Sequence, residues 1–294
     1  MLGKNVLSEK YVMKLHTIFE QKKWKIQEKS DYSVFDRFCS RLAELENDEE
    51  RDLIIELTNK FQWVQSSMYE EYLLKALKKL FDSSEWKPEK GKGIYICPLL
   101  PEKDFGKVKS STFMLYLCQS ILMRTFPEFQ EKQIRICGTP EILKEHEDRV
   151  GSLILIDDFI GSGETALECL EYLKFIKILD KKIHIVSLVA QEDGINNIRR
   201  EGIPVFAAFI GKKAISDVYP ESEAKEKLKV MVSISKHIHA PSGMQLGYAG
   251  SESLVAMIKT PNNTFPVYWY EHKKNNYAPF VRKHNVKAIG SERR

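Results

Sequence analysis

Over the first 81 residues apolar positions recur three and four apart. Leu53, Ile54, Leu57 and Phe61 share one helical face. Asn47 stands before them with Glu50 three positions on, the spacing of a capping box. Tyr69, Leu73, Leu77 and Leu80 repeat the pattern, and the stretches 8–22 and 31–45 behave alike. This predicts an all-α region over 1–88, read either as a partner-docking unit or as a winged-helix-like one, although no wing strands are evident. SSEWKPEKGKG, residues 83–93, has loop chemistry and closes the region.

Past it the period changes. GIYICP (93–98), QIRIC (133–137), SLILI (152–156), KIHIVSLVA (182–190) and PVFAAF (204–209) read as short buried strands. Helical patterns at 111–125, 164–178 and 193–200 lie between several of them. Such alternation predicts an α/β fold: a mostly parallel sheet flanked by helices, within a second region spanning 89–294. Residues 111–123 are apolar nearly all round, as expected of a helix sandwiched between layers.

Composition narrows the setting. A chain of 294 residues with a net charge of +4 is that of an ordinary globular protein, and the charge permits an acidic partner without requiring nucleic acid. No apolar run is long enough for a membrane span, and the N-terminus lacks a secretory signal pattern. The five cysteines are widely spaced with no C-x-x-C pair, as expected of buried thiols in a reducing cytoplasm.

The unusual chemistry lies at LILIDDFIGSGETALECL, residues 153–170. In a parallel sheet, ligands gather at the carboxyl ends of strands, where Asp157 and Asp158 are expected. Gly161, Ser162, Gly163, Glu164 and Thr165 then lead into a helix. Glycines let successive N–H groups converge, and the helix N-terminus adds partial positive charge, so this turn suits a monophosphate. The acids suit sugar hydroxyls, or Mg²⁺ held through water or ribose hydroxyls. A ligand with a diol on one side and a 5′-phosphate on the other satisfies both halves. GSGETA also matches the dinucleotide fingerprint, but the acid expected about 20 residues on is late. Walker A fails for want of a lysine after the glycines. A solvated turn with no ligand stays open on spacing alone.

ILIDDFIGSGETAL resembles the phosphoribosyl pyrophosphate (PRPP) motif of type I phosphoribosyltransferases: hydrophobic strand, two acids, two hydrophobic residues, a small loop, then threonine. The resemblance implies that Asp157 and Asp158 hold the ribose hydroxyls, that Gly161 to Thr165 hold the 5′-phosphate, and that Mg²⁺ is the cofactor. Gly161 replaces a commoner threonine, and Glu164 a small residue. After its first core strand the family carries a diphosphate-binding loop; here CPLLPEKDFGKVKSST offers Lys107, Lys109, Ser110 and Ser111, with an ordinary solvated loop as the alternative. Between its second and third core strands the family has a long mobile loop, for which CGTPEILKEHEDRVG leaves little room.

The C-terminal segment departs from the family's base-binding hood. Its TPNNTFPVYW stretch, with the helical N-terminus, is similar to phosphoribosyltransferase-like effectors of bacterial defence loci, some retron-associated. That resemblance implies a toxic effector in antiviral defence, with the N-terminal helices docking a partner protein or a reverse transcriptase–nucleic acid complex. The expected activity is glycosyl transfer from PRPP or a related ribose phosphate. The alternatives are a non-catalytic PRPP or nucleotide sensor and a partner-docking regulatory subunit. Among other residues, Asn262, Asn263 and Thr264 read as a turn after Pro261, with hydrogen bonding to a base as the alternative. Tyr268, Trp269 and Tyr270 read as base-stacking rings or a half-buried strand. His237 and His239 form an H-x-H without a third ligand, and Glu168 and Glu171 read as a solvated helix face.

Overall fold

The computed structural model describes residues 6–26, 33–126, 134–178, 182–272 and 278–282. Parts of the expected organisation at 1–5, 27–32, 127–133, 179–181, 273–277 and 283–294 lie outside them, including the first residue of QIRIC. In chain order the main elements are α1 (Glu9–Gln21), α2 (Val34–Glu44), α3 (Asp48–Lys60), β1 (Gln62–Trp63) and α4 (Tyr69–Phe81). There follow β2 (Gly93–Pro98), α5 (Ser110–Thr125), β3 (Ile134–Ile136), β4 (Val150–Ile160), α6 (Glu164–Phe175) and β5 (Lys182–Gln191). α7 (Glu192–Arg199), β6 (Val205–Gly211), α8 (Glu221–His237) and β7 (Val255–Ala256) complete the set.

The chain divides into two compact units: the described residues up to Val64 join those from Lys212 onward, and Gln65–Gly211 form the other. This division differs from the boundary expected near residue 88, for two physical reasons. α4 carries the helical pattern of the N-terminal region, yet it packs over β5 and β6 and so belongs with the sheet. The first three helices share one core with the segment after Lys212. Leu15, Phe19, Phe38, Leu42, Leu57 and Phe61 bury against Ile215, Met231, Ile234, Phe265, Tyr268 and Phe280. Each such side chain, fully buried, contributes about 1.5–3 kcal/mol. Phe61 and Phe280 stack with ring centroids 5.0 Å apart and planes 7° from parallel. β1 pairs with β7 in parallel, Gln62 beside Val255 and Trp63 beside Ala256.

The second unit is an α/β layer structure. Its five strands are all parallel in the order β3-β2-β4-β5-β6. Leu153 and Leu155 share a core with Ala166, Cys169, Leu170 and Leu173 of α6 and Ile195 and Ile198 of α7. α4 and α5 cover the other face. The sheet therefore matches the expected fold class, and β4 and β5 are buried on both sides, which explains why they are mostly apolar. The chain leaves β2 toward β3 at one edge and leaves β4 toward β5 at the other. The carboxyl ends of β2 and β4 thus flank a topological switch point, where a parallel sheet opens a crevice. Among the described residues no helix is long and apolar enough to cross a membrane.

Candidate ribose phosphate site

β4 is longer than SLILI. Its pairing with β5 runs on through Asp157 beside Ser187, Phe159 beside Val189 and Ile160 beside Ala190. Successive side chains on a strand lean to opposite faces, yet at this strand end the two carboxyls stay within reach of each other and of Ser110. Asp158 is buried, 6% exposed, and accepts a hydrogen bond from the Tyr69 hydroxyl at 3.0 Å. Asp157 is half-buried. Its Oδ1 accepts from the Asp158 backbone N–H at 2.9 Å and from the Ser110 hydroxyl at 3.2 Å. Ser110 is the first residue of α5, so this bond spans the crevice between the outgoing ends of β2 and β4.

Electrostatics set the pair apart from surface carboxylates. Burial pushes Asp157 well above its usual range, and the neighbouring Asp158 charge pushes it further, against the Asp158 N–H and Ser110 bonds. Burial likewise raises Asp158, with Ser110, Tyr69 and Asp157 hydrogen bonds opposing it. Two carboxyls held this way disfavour their charged forms, a cost that a bound cation or hydroxyl donors would relieve.

The turn after β4 is built by close backbone approach. Gly163 takes φ +85° and caps α6, a conformation that disfavours any Cβ. A Cβ on Gly163 would also lie 2.9 Å from the Gly194 carbonyl oxygen. Conversely, one on Gly194 would lie 2.2 Å from the Gly161 carbonyl oxygen. Asn197 donates from Nδ2 to the Ser162 carbonyl at 2.9 Å, so α7 braces the turn from behind. Glu164 and Thr165 are exposed in the first turn of α6, where an acid also favours the helix dipole.

The segment leaving β2 holds its own charges. Lys107 and Lys109 both pair with Asp104, at 2.8 and 2.7 Å. Burial pulls Asp104 upward, but the two lysines outweigh it and hold its carboxyl below the usual value. Lys103 pairs with Glu168, and Phe105 meets Tyr172 edge-on with ring centroids 5.1 Å apart, so this segment is anchored to α6. Glu168 is partly exposed, and its bond to Lys103 is a surface ion pair. Ser111 is buried, and Val108 nearby is exposed. Between β3 and β4 the chain makes a 3₁₀ segment, Pro140–Arg149, with Pro140 and Leu143 buried.

Sequence reasoning missed Tyr69, Gly194 and Asn197. Tyr69 sits on a helix whose periodicity continues that of the N-terminal region, and Gly194 and Asn197 lie in a helix with no motif of its own. The remaining candidates belong to the other unit and are structural. Tyr268 and Trp269 are buried, Trp269 donating from Nε1 to the Thr264 carbonyl at 2.7 Å. They lie in and just after a 3₁₀ turn, Pro266–Tyr268, rather than in a strand. Asn263 donates from Nδ2 to the Ser251 hydroxyl at 3.0 Å, and Thr264 to the Val255 carbonyl at 2.5 Å, as a turn requires. His237 ends α8, with Nδ1 2.9 Å from Glu46 Oε1, and His239 follows at φ +57°. Helix end and turn replace the strand that would align them. Among the described residues no group of three or more His, Cys, Asp or Glu is arranged to hold a metal ion.

Fold and motif together define a phosphoribosyltransferase-like protein. A family model described as PRTase-CE matches residues 35–283, most of the chain, and the protein belongs to that family. Similar solved structures include orotate phosphoribosyltransferase from Aeropyrum pernix, 15% identical, with a TM-score of 0.29 over 49% of this chain and 71% of that one. Another is the AQ2163 protein from Aquifex aeolicus, 12% identical, with a TM-score of 0.32 over 64% of this chain and 88% of that one. No curated protein matches the sequence.

Proposed function

We propose that the crevice at the carboxyl ends of β2 and β4 binds PRPP, or a related ribose 5-phosphate compound, and that the protein is a ribosyl-transfer enzyme. The observation that carries this reading is the junction of Asp157, bonded to Ser110 across the switch point, with the glycine turn braced by Gly194. Asp157 and Asp158 would accept from the ribose hydroxyls, and the N–H groups of residues 161–165 would hold the 5′-phosphate. The Ser162 and Thr165 hydroxyls would add donors. Lys107 and Lys109, with Ser110 and Ser111, would meet the diphosphate, which requires at least one lysine to exchange Asp104 for phosphate.

The donor set also fits Mg²⁺. Adjacent carboxylates of which one is half-exposed offer the hard oxygen ligands this ion takes, alongside phosphate oxygens and water. When bound, Mg²⁺ would offset charge on a departing diphosphate. The chain's own contribution to transfer is then positional: it holds diol and phosphates so that the anomeric carbon faces an acceptor.

Release of pyrophosphate from PRPP, assayed with nucleobases, nucleotides, nucleic acid and proteins as acceptors, tests the enzymatic reading. Turnover with any acceptor supports it, and binding of PRPP without turnover across the panel contradicts it. One observation favours a sensing module instead. The β3–β4 connection is a packed 3₁₀ segment with Leu143 buried, where the resemblance implies a mobile catalytic loop.

The biological setting proposed is a toxic effector in bacterial antiviral defence, docked through its N-terminal helices to a partner protein or a reverse transcriptase–nucleic acid complex. Val6 and Met13 are exposed apolar residues before and on α1 and suit such a contact. Loss of co-purification with neighbouring gene products in a Val6→Glu, Met13→Glu chain supports docking there, and undiminished co-purification contradicts it.

A further inference from the structure

Cys97 lies in β2 and Cys137 directly follows β3, one step beyond the register pair Ile96 and Ile136. The Cys137 N–H donates to the Ile96 carbonyl at 2.9 Å, so the ladder continues to the two cysteines. Both side chains lie in one apolar core, Cys97 fully buried and Cys137 4% exposed. Neighbouring strands stand about 4.8 Å apart, inside the Cα range that a disulfide spans.

The two thiols differ in reactivity. Burial, then the contact with Cys137, holds Cys97 well above the ordinary thiol range. Cys137 moves the other way, because its interaction with Cys97 and the charge of Arg135 outweigh its burial. Burial raises Cys39 to about 11 and Cys118 and Cys169 to about 12, so all three hold their protons at neutral pH. Gly138, next to Cys137, borders open space: a Cβ there would meet nothing within 4 Å.

We propose that Cys97 and Cys137 form a peroxide-sensitive thiol pair that closes reversibly to a disulfide. The Cys137 thiolate attacks hydrogen peroxide: the S–O bond forms, the O–O bond breaks, and hydroxide leaves to become water. The Cys97 sulfur then attacks the sulfenic sulfur, forming S–S, breaking S–O and releasing a second water with its proton. Two thiols are oxidised by two electrons, and one peroxide is reduced to two waters. The bridge would tie the start of the segment carrying Lys107 and Lys109 to the start of the 3₁₀ connection at Pro140. Its chemistry does not depend on the ribose phosphate reading.

Purified full-length protein, freed of reductant, is treated with hydrogen peroxide at neutral pH, alkylated, digested and analysed by mass spectrometry. The expected result is a Cys97–Cys137 cross-linked peptide that disappears with dithiothreitol, forms equally in Cys118→Ser, and is absent from Cys137→Ser. Conversion of Cys137 to sulfinic acid without the cross-link, in the folded wild-type chain, overturns the proposal. So does peroxide treatment that leaves both thiols free for alkylation. The wild-type cross-link is the deciding signal, so the test survives even a variant that folds poorly.

Discussion

Gly194 and Gly161 meet backbone to backbone: a Cβ on Gly194 would stand 2.2 Å from the Gly161 carbonyl oxygen. Two segments separated by the whole of α6 and β5 are thus fitted to one another, and neither can yield without moving the turn. The Gly194→Ala chain is expected to lose about 1–3 kcal/mol of stability from overpacking. Its affinity for ribose 5-phosphate should fall by roughly tenfold, which corresponds to about 1.4 kcal/mol. Gly138→Ala, which meets no atom within 4 Å, should match wild type in both measurements. Calorimetric titration and urea unfolding read the two effects.

The acid pair should reveal itself as stability forgone for binding. Folding raises the Asp157 and Asp158 carboxyls above their unfolded values. The native state therefore binds more protons than the unfolded one between those values. Stability from this pair falls as pH rises through that window and stays reduced above it. Asp157→Asn removes the repulsion, so its Tm at pH 7 should be at least that of wild type while its affinity for PRPP falls. A Tm clearly below wild type would show that the carboxylate is structural.

Tyr69→Phe leaves one oxygen of buried Asp158 without its hydroxyl donor. That omission should cost about 1–3 kcal/mol in urea unfolding. It should also drive the Asp158 carboxyl further upward, visible as a later titration of its resonance in NMR. Unchanged stability and titration would mean that the Tyr69 bond contributes nothing.

The other unit should fail as a whole. Trp269→Ala removes a buried ring and its bond to Thr264, and is expected to cost about 3–5 kcal/mol. A chain reduced to 89–294 lacks the partners of Met231, Ile234, Phe265 and Tyr268. It should melt without a cooperative transition for that part. Cooperative unfolding of the truncated chain, followed by tryptophan fluorescence, would contradict the shared core.

Strand positions are legible in the sequence because both sheet faces are covered, which leaves strands such as GIYICP, ILI and HIVSLVA predominantly apolar. The phosphate turn is legible because glycines and hydroxyls in one short run have few other uses. The end of β4 is not, since Asp157 and Asp158 look like a strand terminus until Tyr69, 89 residues upstream of Asp158, supplies a buried donor. α8 escapes sequence reading because its lysines and glutamates dilute the apolar face, on which only Ala224, Met231, Ile234 and Ser235 are buried. The pairing of N-terminal helices with residues after Lys212 is equally hidden, because local periodicity shows that a face is apolar and not what covers it. Lys107 and Lys109 read as diphosphate ligands or as part of a solvated loop, and only the fold brings Asp104 against both.

If Asp157 and the turn after it hold a ribose 5-phosphate, the loss of one carboxylate charge must weaken that ligand. Isothermal titration of PRPP with excess Mg²⁺ into the full-length protein, wild type beside Asp157→Asn, tests this most directly. Wild type should bind saturably, and the variant should lose at least about tenfold in affinity, near 1.4 kcal/mol, with no lowering of its Tm. Equal binding by both proteins, or none by the wild type, would contradict a ribose 5-phosphate site there.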